Sequence, residues 1–173
     1  MVPAPRGSAS RAAATSAACD DHAVMTTDLA ALDVLLVEDD PGDVLMVREV
    51  FEDHGLGGHL DVVSDGAEAL AFLRREGEHA DARRPDVVLL DLNLPKLGGR
   101  EVLEVVKADA ELRSIPVVVL TTSAAEEDIL RAYAAHANAY VTKPVDWDAF
   151  TAAVRRIGHF FGDVARLPRS ARG

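Results

Sequence analysis

Val87-Val88-Leu89-Leu90-Asp91-Leu92-Asn93-Leu94-Pro95 is the stretch that decides the fold. Four apolar residues with no polar alternation suit a strand covered on both faces, the central position of a parallel sheet. A carboxylate closes the run and a proline-ended loop follows. In open α/β sheets the carboxyl edge is where ligands and chemistry sit. Asp91 is therefore the reacting group or a ligand to what reacts.

Working outward, Asp33–Val37 is a second short apolar run, ending in Glu38-Asp39-Asp40-Pro41. Asp40 suits a helix N-cap and Pro41 the first helical position, where its missing N–H costs nothing. That helix carries Val44, Val47 and Phe51 on one stripe, runs through His54 and stops at Gly55. His59–Val63 reads as a strand, and Asp65 with Glu68 has capping-box spacing before the next helix. Glu76–Pro85 is a polar, exposed loop. After Gly98-Gly99 comes a helix bearing Val102, Leu103, Val105 and Val106. Pro116–Leu120 is another apolar strand, and Ser123 with Glu126 repeats the capping-box spacing ahead of a helix with Ile129, Leu130 and Tyr133. Asn138–Thr142 is the fifth strand. Asp146 caps a last helix with Phe150, Val154, Ile157 and Phe161 on its stripe.

Strand–helix repeated five times predicts an α/β fold, a single doubly wound five-stranded parallel sheet with helices on both faces. Because crossovers are right-handed and the strands parallel, all strand ends share one edge. Glu38, Asp39, Asp91, Thr121 and Lys143, far apart in sequence, then converge there. Three carboxylates so placed repel unless a counter-charge is supplied. Mg²⁺ suits oxygen donors of this kind, whereas zinc would want His or Cys. The six histidines are scattered and none has HExxH spacing. An ammonium, a hydroxyl and a metal around one carboxylate suit receipt of a phosphoryl group, with Asp91 as nucleophile.

The rest of the composition bounds the reading. The chain has 173 residues, 49% hydrophobic and 27% charged, ordinary for a globular protein with one domain and loose ends. A formal net charge of −11 argues against direct nucleic-acid binding. No window approaches the roughly 18 unbroken apolar residues of a membrane span. The single cysteine, Cys19, excludes an internal disulfide and fits a reducing compartment, so a cytoplasmic location is expected. Residues 1–28, rich in Ala, Ser, Pro and Thr and without an apolar core, are expected to form a disordered tail. Met25 is an alternative start. The expected folded body is 32–162, with 163–173 as a C-terminal tail.

Val37-Glu38-Asp39-Asp40, Leu90–Pro95, Leu120-Thr121-Thr122 and Tyr140-Val141-Thr142-Lys143-Pro144 together resemble the receiver domain of two-component response regulators. The resemblance implies a flavodoxin-like receiver fold with strand order 2-1-3-4-5. Asp91 would be the phosphoacceptor, Thr121 the switch hydroxyl, Tyr140 the aromatic switch residue and Lys143 the phosphate-contacting base. Mg²⁺ would be held by Asp39, Asp91 and the Asn93 backbone carbonyl, with Glu38 acting through water, and the Lys143–Pro144 bond would be cis. The Glu-Asp-Asp-Pro opening, the long loop before the central strand and the Arg166-Leu167-Pro168 ending are similar to stand-alone phytochrome-partner regulators. That implies a sensor histidine kinase of photoreceptor type as partner. His136 stands where receivers usually have Gly, at a position expected to want a left-handed backbone. Gly98 replaces a commoner Asp.

On this reading the protein is a phosphoacceptor and not an enzyme. A haloacid-dehalogenase-like phosphatase would need an acid where Asn93 stands. A flavodoxin-type cofactor binder would not place Glu38-Asp39-Asp40 after strand one, where they repel phosphate. With only a short segment after Phe161, output is expected by protein contact. Trp147, Phe160, Val164 and Leu167 either form a homodimer patch or close the last helix against the body.

Overall fold

The computed structural model describes residues 32–53 and 58–168. Within them lie β1 (Val34–Val37), α1 (Pro41–Asp53), β2 (Leu60–Val63), α2 (Gly66–Arg74), β3 (Val87–Leu90), α3 (Gly99–Ala108), β4 (Val117–Thr121), α4 (Glu126–Ala134), β5 (Ala139–Thr142) and α5 (Trp147–His159). A 3₁₀ turn, Gly77–His79, sits in the polar loop before β3, and a π-helical turn, Phe160–Val164, extends α5. The five strands form one parallel sheet in the order β2-β1-β3-β4-β5. This is the expected topology, with β3 central.

The two-residue period of a strand divides each apolar run between two cores. Leu35, Val37, Val88, Leu90, Val117 and Val119 face one way, against Phe72 and Leu73 of α2, Val102, Leu103 and Val106 of α3, and Ala132 of α4. Val34, Leu36, Val87, Leu89, Val118 and Leu120 face the other way, against Val47 and Val50 of α1 and Phe150, Val154 and Phe161 at the C-terminal end. Every residue of β1, β3 and β4 is buried, which is why those runs carry no polar alternation.

Side-chain caps fix where the helices begin. Asp40 Oδ1 accepts from the Asp43 N–H at 3.0 Å, Asp65 from Glu68 at 2.8 Å and Asp146 from Ala149 at 2.9 Å. Glu68 reaches back to the N–H of Ser64, one residue before the cap. The second expected capping box does not form. Helix α4 opens at Glu126 with Ala125 in the cap position, and the Ser123 hydroxyl instead donates to Asp128 at 2.5 Å. The helix opens two residues too late for Ser123 to cap it, and the Ser123 oxygen accepts from the Ala125 N–H at 3.4 Å, ahead of the first turn. All peptide bonds among the described residues are trans, Lys143–Pro144 included, against the cis bond the resemblance implies. Trans is the lower-energy isomer of an X–Pro bond by about 0.5–1 kcal/mol.

His136 has φ 66°, the left-handed backbone anticipated for it. Its N–H donates to the Tyr133 carbonyl and that of Ala137 to Ala132, the paired bonds that close a helix end. Leu167 packs against the second core, whereas Trp147, Phe160 and Val164 are exposed. The 1–28 segment, with Cys19 and Met25, and the stop of α1 at Gly55 lie outside the described residues.

Candidate functional site

Backbone ladder bonds continue one residue past the strand ends and so set the site. The N–H of Glu38 donates to the Val63 carbonyl, that of Asp91 to Val37, and that of Lys143 to Thr121, at 3.0, 3.0 and 2.8 Å. Three residues from three strands are thereby held side by side on the carboxyl edge of the sheet.

Lys143 is the hub. Its ammonium is 4% exposed and donates to Glu38 Oε2 at 2.5 Å, Asp43 Oδ2 at 2.7 Å and Asp91 Oδ2 at 2.9 Å. The other oxygen of Asp91 accepts from the Asn93 N–H at 3.1 Å, and Glu38 Oε1 accepts from the Asp40 N–H at 3.1 Å. Thr121 is fully buried, and its hydroxyl oxygen accepts from the Asn93 side-chain amide at 3.4 Å. Carboxylate oxygens of Glu38, Asp39 and Asp91 lie within 4.8 Å of one another, with Asp39 exposed and the other two buried.

This packing separates the protonation behaviour of the groups. Burial pushes the Glu38 carboxyl up, only partly offset by Lys143. Burial acts on Asp91 in the same direction, but there the Lys143 ammonium, the Asn93 N–H and the Thr121 hydroxyl outweigh it and hold the carboxyl below its ordinary value. Burial alone would lower Lys143, yet the three carboxylates around it prevail and raise it. Asp91 is thus an ionised carboxylate beside a fixed positive charge, and Glu38 is the acid most in need of a further cation.

The donor set answers the metal question chemically. Three hard carboxylate oxygens, one of them open to solvent, suit Mg²⁺ or Mn²⁺ and offer nothing to a metal that prefers sulfur or imidazole. A divalent cation fits these residues.

Of the residues singled out from the sequence, Glu38, Asp39, Asp91, Asn93, Thr121 and Lys143 lie together. Tyr140 sits one layer away, its hydroxyl donating to the Ser123 carbonyl at 2.9 Å, so it touches the β4–α4 segment and not Asp91. Asp43 was missed. A carboxylate one turn into α1, just after an acidic pair, was the available signal. In sequence, however, it looks like an ordinary first-turn acid that complements the helix dipole.

The family model of the response regulator receiver domain matches residues 34–155. This chain belongs to that family. As a receiver it is a phosphoacceptor domain rather than an enzyme that turns over substrate. Response regulator Rcp1 of Synechocystis is 42% identical over 135 residues, which span 78% of this chain and 92% of Rcp1. The crystal structure of the phosphorylated cyanobacterial phytochrome response regulator RcpA superposes with a TM-score of 0.78 at 44% identity, covering 81% of this chain and all of that one. The Mn²⁺-bound form of Rcp1 follows at 0.76 and 41%, covering 80% and 99%. The receiver is thus closely related to cyanobacterial phytochrome response regulators. None of the described helices is long and apolar enough to cross a membrane.

Proposed function

We propose that Asp91 accepts a phosphoryl group from a phosphohistidine of a sensor histidine kinase and that the protein thereby switches an interaction face. The observation that carries this is the buried, ionised Asp91 fixed between the Lys143 ammonium at 2.9 Å and the Asn93 N–H at 3.1 Å, at the end of the central strand.

One Asp91 oxygen attacks phosphorus. The O–P bond forms as the donor P–N bond breaks, and the leaving imidazole keeps the electron pair and takes up a proton. Lys143 neutralises negative charge on the phosphoryl oxygens, and the Thr121 hydroxyl donates to one of them. Asp39, Asp91 and the Asn93 backbone carbonyl, with Glu38 through water, would hold Mg²⁺. When bound, the ion supplies positive charge against the phosphoryl oxygens. Subsequent attack by water on phosphorus returns the free carboxylate and inorganic phosphate, so the signal decays without a second protein.

Thr121 and Tyr140 are the switch pair in this reading, because Thr121 ends β4 and the segment that follows it accepts a hydrogen bond from Tyr140. Changing the charge at Asp91 shifts the position of that segment and with it α4, a local charge event acting on a two-state element. Output passes by protein contact, to a second copy or to a target, with the exposed Trp147, Phe160 and Val164 as the apolar surface available for it. The folded unit is taken as 32–162, with Ala165 and Leu167 packing back on it. The kinase is of phytochrome type, a choice supported by the relatedness to RcpA and Rcp1. The site of action is the cytoplasm.

Incubation with acetyl phosphate and Mg²⁺ tests the chemistry. The intact mass should rise by one phosphoryl group in the wild type and not in Asp91→Asn. No gain in the wild type, or an equal gain in the variant, refutes it.

A further inference from the structure

Two helices are tied to the phosphoacceptor by a route that the chemistry above does not use. Helix α3 begins against the Asp91 backbone: a Cβ on Gly99 would lie 2.0 Å from the Asp91 carbonyl oxygen, so only glycine permits the approach. The next residue, Arg100, forms an ion pair with Asp128 Oδ1 in the first turn of α4. The other Asp128 oxygen accepts the Ser123 hydroxyl at 2.5 Å. The Ser123 N–H approaches the Thr121 hydroxyl oxygen at 3.5 Å, its Oγ accepts from the Ala125 N–H at 3.4 Å, and its carbonyl accepts from Tyr140. Asp91, Gly99-Arg100, Asp128, Ser123 and Thr121 therefore close a ring of contacts. The ring is completed through Asn93, whose side-chain amide donates to the Thr121 oxygen at 3.4 Å and whose N–H donates to Asp91 at 3.1 Å.

We propose that Asp128, gripped by Arg100 from α3 and by the Ser123 hydroxyl, is a positioning residue that keeps the β4–α4 segment set with Thr121 turned to Asp91. It rests on Asp91 being the phosphoacceptor. Asp128 touches neither Asp91 nor a metal ligand, so it acts only through the placement of Thr121. The side chains of Arg100 and Asp128 are 39% and 21% exposed, so the pair is partly screened and its loss should leave the fold intact. The same clasp fixes the height of α4, whose Leu130 and Tyr133 are exposed. Pocket chemistry and the α4 surface thus share one joint.

The test compares Asp128→Asn, Arg100→Gln, their double variant and Arg100→Lys. It reads the initial rate of phosphorylation by acetyl phosphate, Mg²⁺ affinity by calorimetry, and amide hydrogen exchange at Ser123 and Ala125. Each single variant should slow phosphorylation about three- to tenfold. The double variant should be no slower than the worse single, since both remove one shared interaction. Arg100→Lys should stay near wild type, Mg²⁺ affinity should not move, and exchange at Ser123 and Ala125 should rise in the single variants. Folded variants with wild-type rates and exchange, or losses that add in the double variant, overturn the proposal. Should Asp128→Asn fail to fold, Ser123→Ala, which keeps the ion pair, takes its place as a single variant, with the same slowing and the same rise in exchange expected and unchanged rate and exchange overturning the proposal. If the wild type itself takes up no phosphoryl group, the function reading fails, and the exchange data alone judge the clasp, with unchanged exchange counting against it.

Discussion

Replacing Lys143 by methionine keeps the length of the side chain and removes the one ammonium that Glu38, Asp43 and Asp91 share. Glu38 and Asp91 are almost wholly buried, so their charges have no water to fall back on. Deleting one partner of a buried ion pair costs about 3–5 kcal/mol. Asp43, the most exposed of the three, limits its own share. A loss of about 3 kcal/mol near neutral pH is therefore expected, read as a fall in the urea midpoint at unchanged m-value.

The pH dependence follows from the directions of the shifts. Lys143 is raised, so its stabilisation is fully present below the ordinary lysine value and is lost only as pH rises through the folded one. Asp91 is lowered, so its stabilisation is present above the ordinary carboxylate value and disappears as pH falls through the folded one. Glu38 is raised by burial even with the lysine present, and without it the shift grows. The variant should therefore gain more stability on mild acidification than the wild type does, and the gap between them should narrow. Millimolar Mg²⁺ should recover part of the loss, because a cation that binds only the folded state stabilises it by mass action. A cost below about 1 kcal/mol, or one that does not change between neutral and mildly acidic pH, would refute the reasoning.

Asp65→Ala removes both the α2 cap and the partner of Lys96, whose backbone is left-handed at φ 63°, and should cost at least about 1–2 kcal/mol in chemical denaturation. Lys96 and the Glu68 N–H hold the Asp65 carboxyl below its ordinary value, so the difference from wild type should fade as pH drops through the depressed value; a difference that persists in strong acid contradicts this. His136→Gly should stabilise by about 0.5–1 kcal/mol, since glycine takes φ 66° without the steric cost borne by a β-carbon, and a lower thermal midpoint would show that the imidazole makes a contact of its own.

Much of the architecture was legible because it depends on pattern alone. Unbroken apolar runs gave β1, β3 and β4, and parallel strands oblige their ends to meet, which brought Glu38, Asp91 and Lys143 together on paper as they are in space. Asp40, Asp65 and Asp146 could be read as caps because a cap is local. What escaped was decided at long range. Asp43 lies 100 residues from its lysine, and Arg100 lies 28 from Asp128. Ser123 misleads too: its spacing to Glu126 is right for a capping box, but the helix opens only at Glu126 with Ala125 at its cap, and the Ser123 hydroxyl donates to Asp128. Helix α4 also defeats a simple hydrophobic reading. It is seated by Ala132 and Ala135, and the larger Leu130 and Tyr133 stay outside, a division that residue size alone does not predict.

The most direct measurement is to trap the product chemically. Protein treated with acetyl phosphate and Mg²⁺ is reduced with borohydride, which converts an aspartyl phosphate to homoserine, and is then digested and mapped by mass spectrometry. The account predicts homoserine at position 91 alone, dependent on both the phosphodonor and the divalent cation. Homoserine at Asp39 or Asp43 instead, or an unmodified Asp91 peptide from protein that carries phosphate, would contradict it.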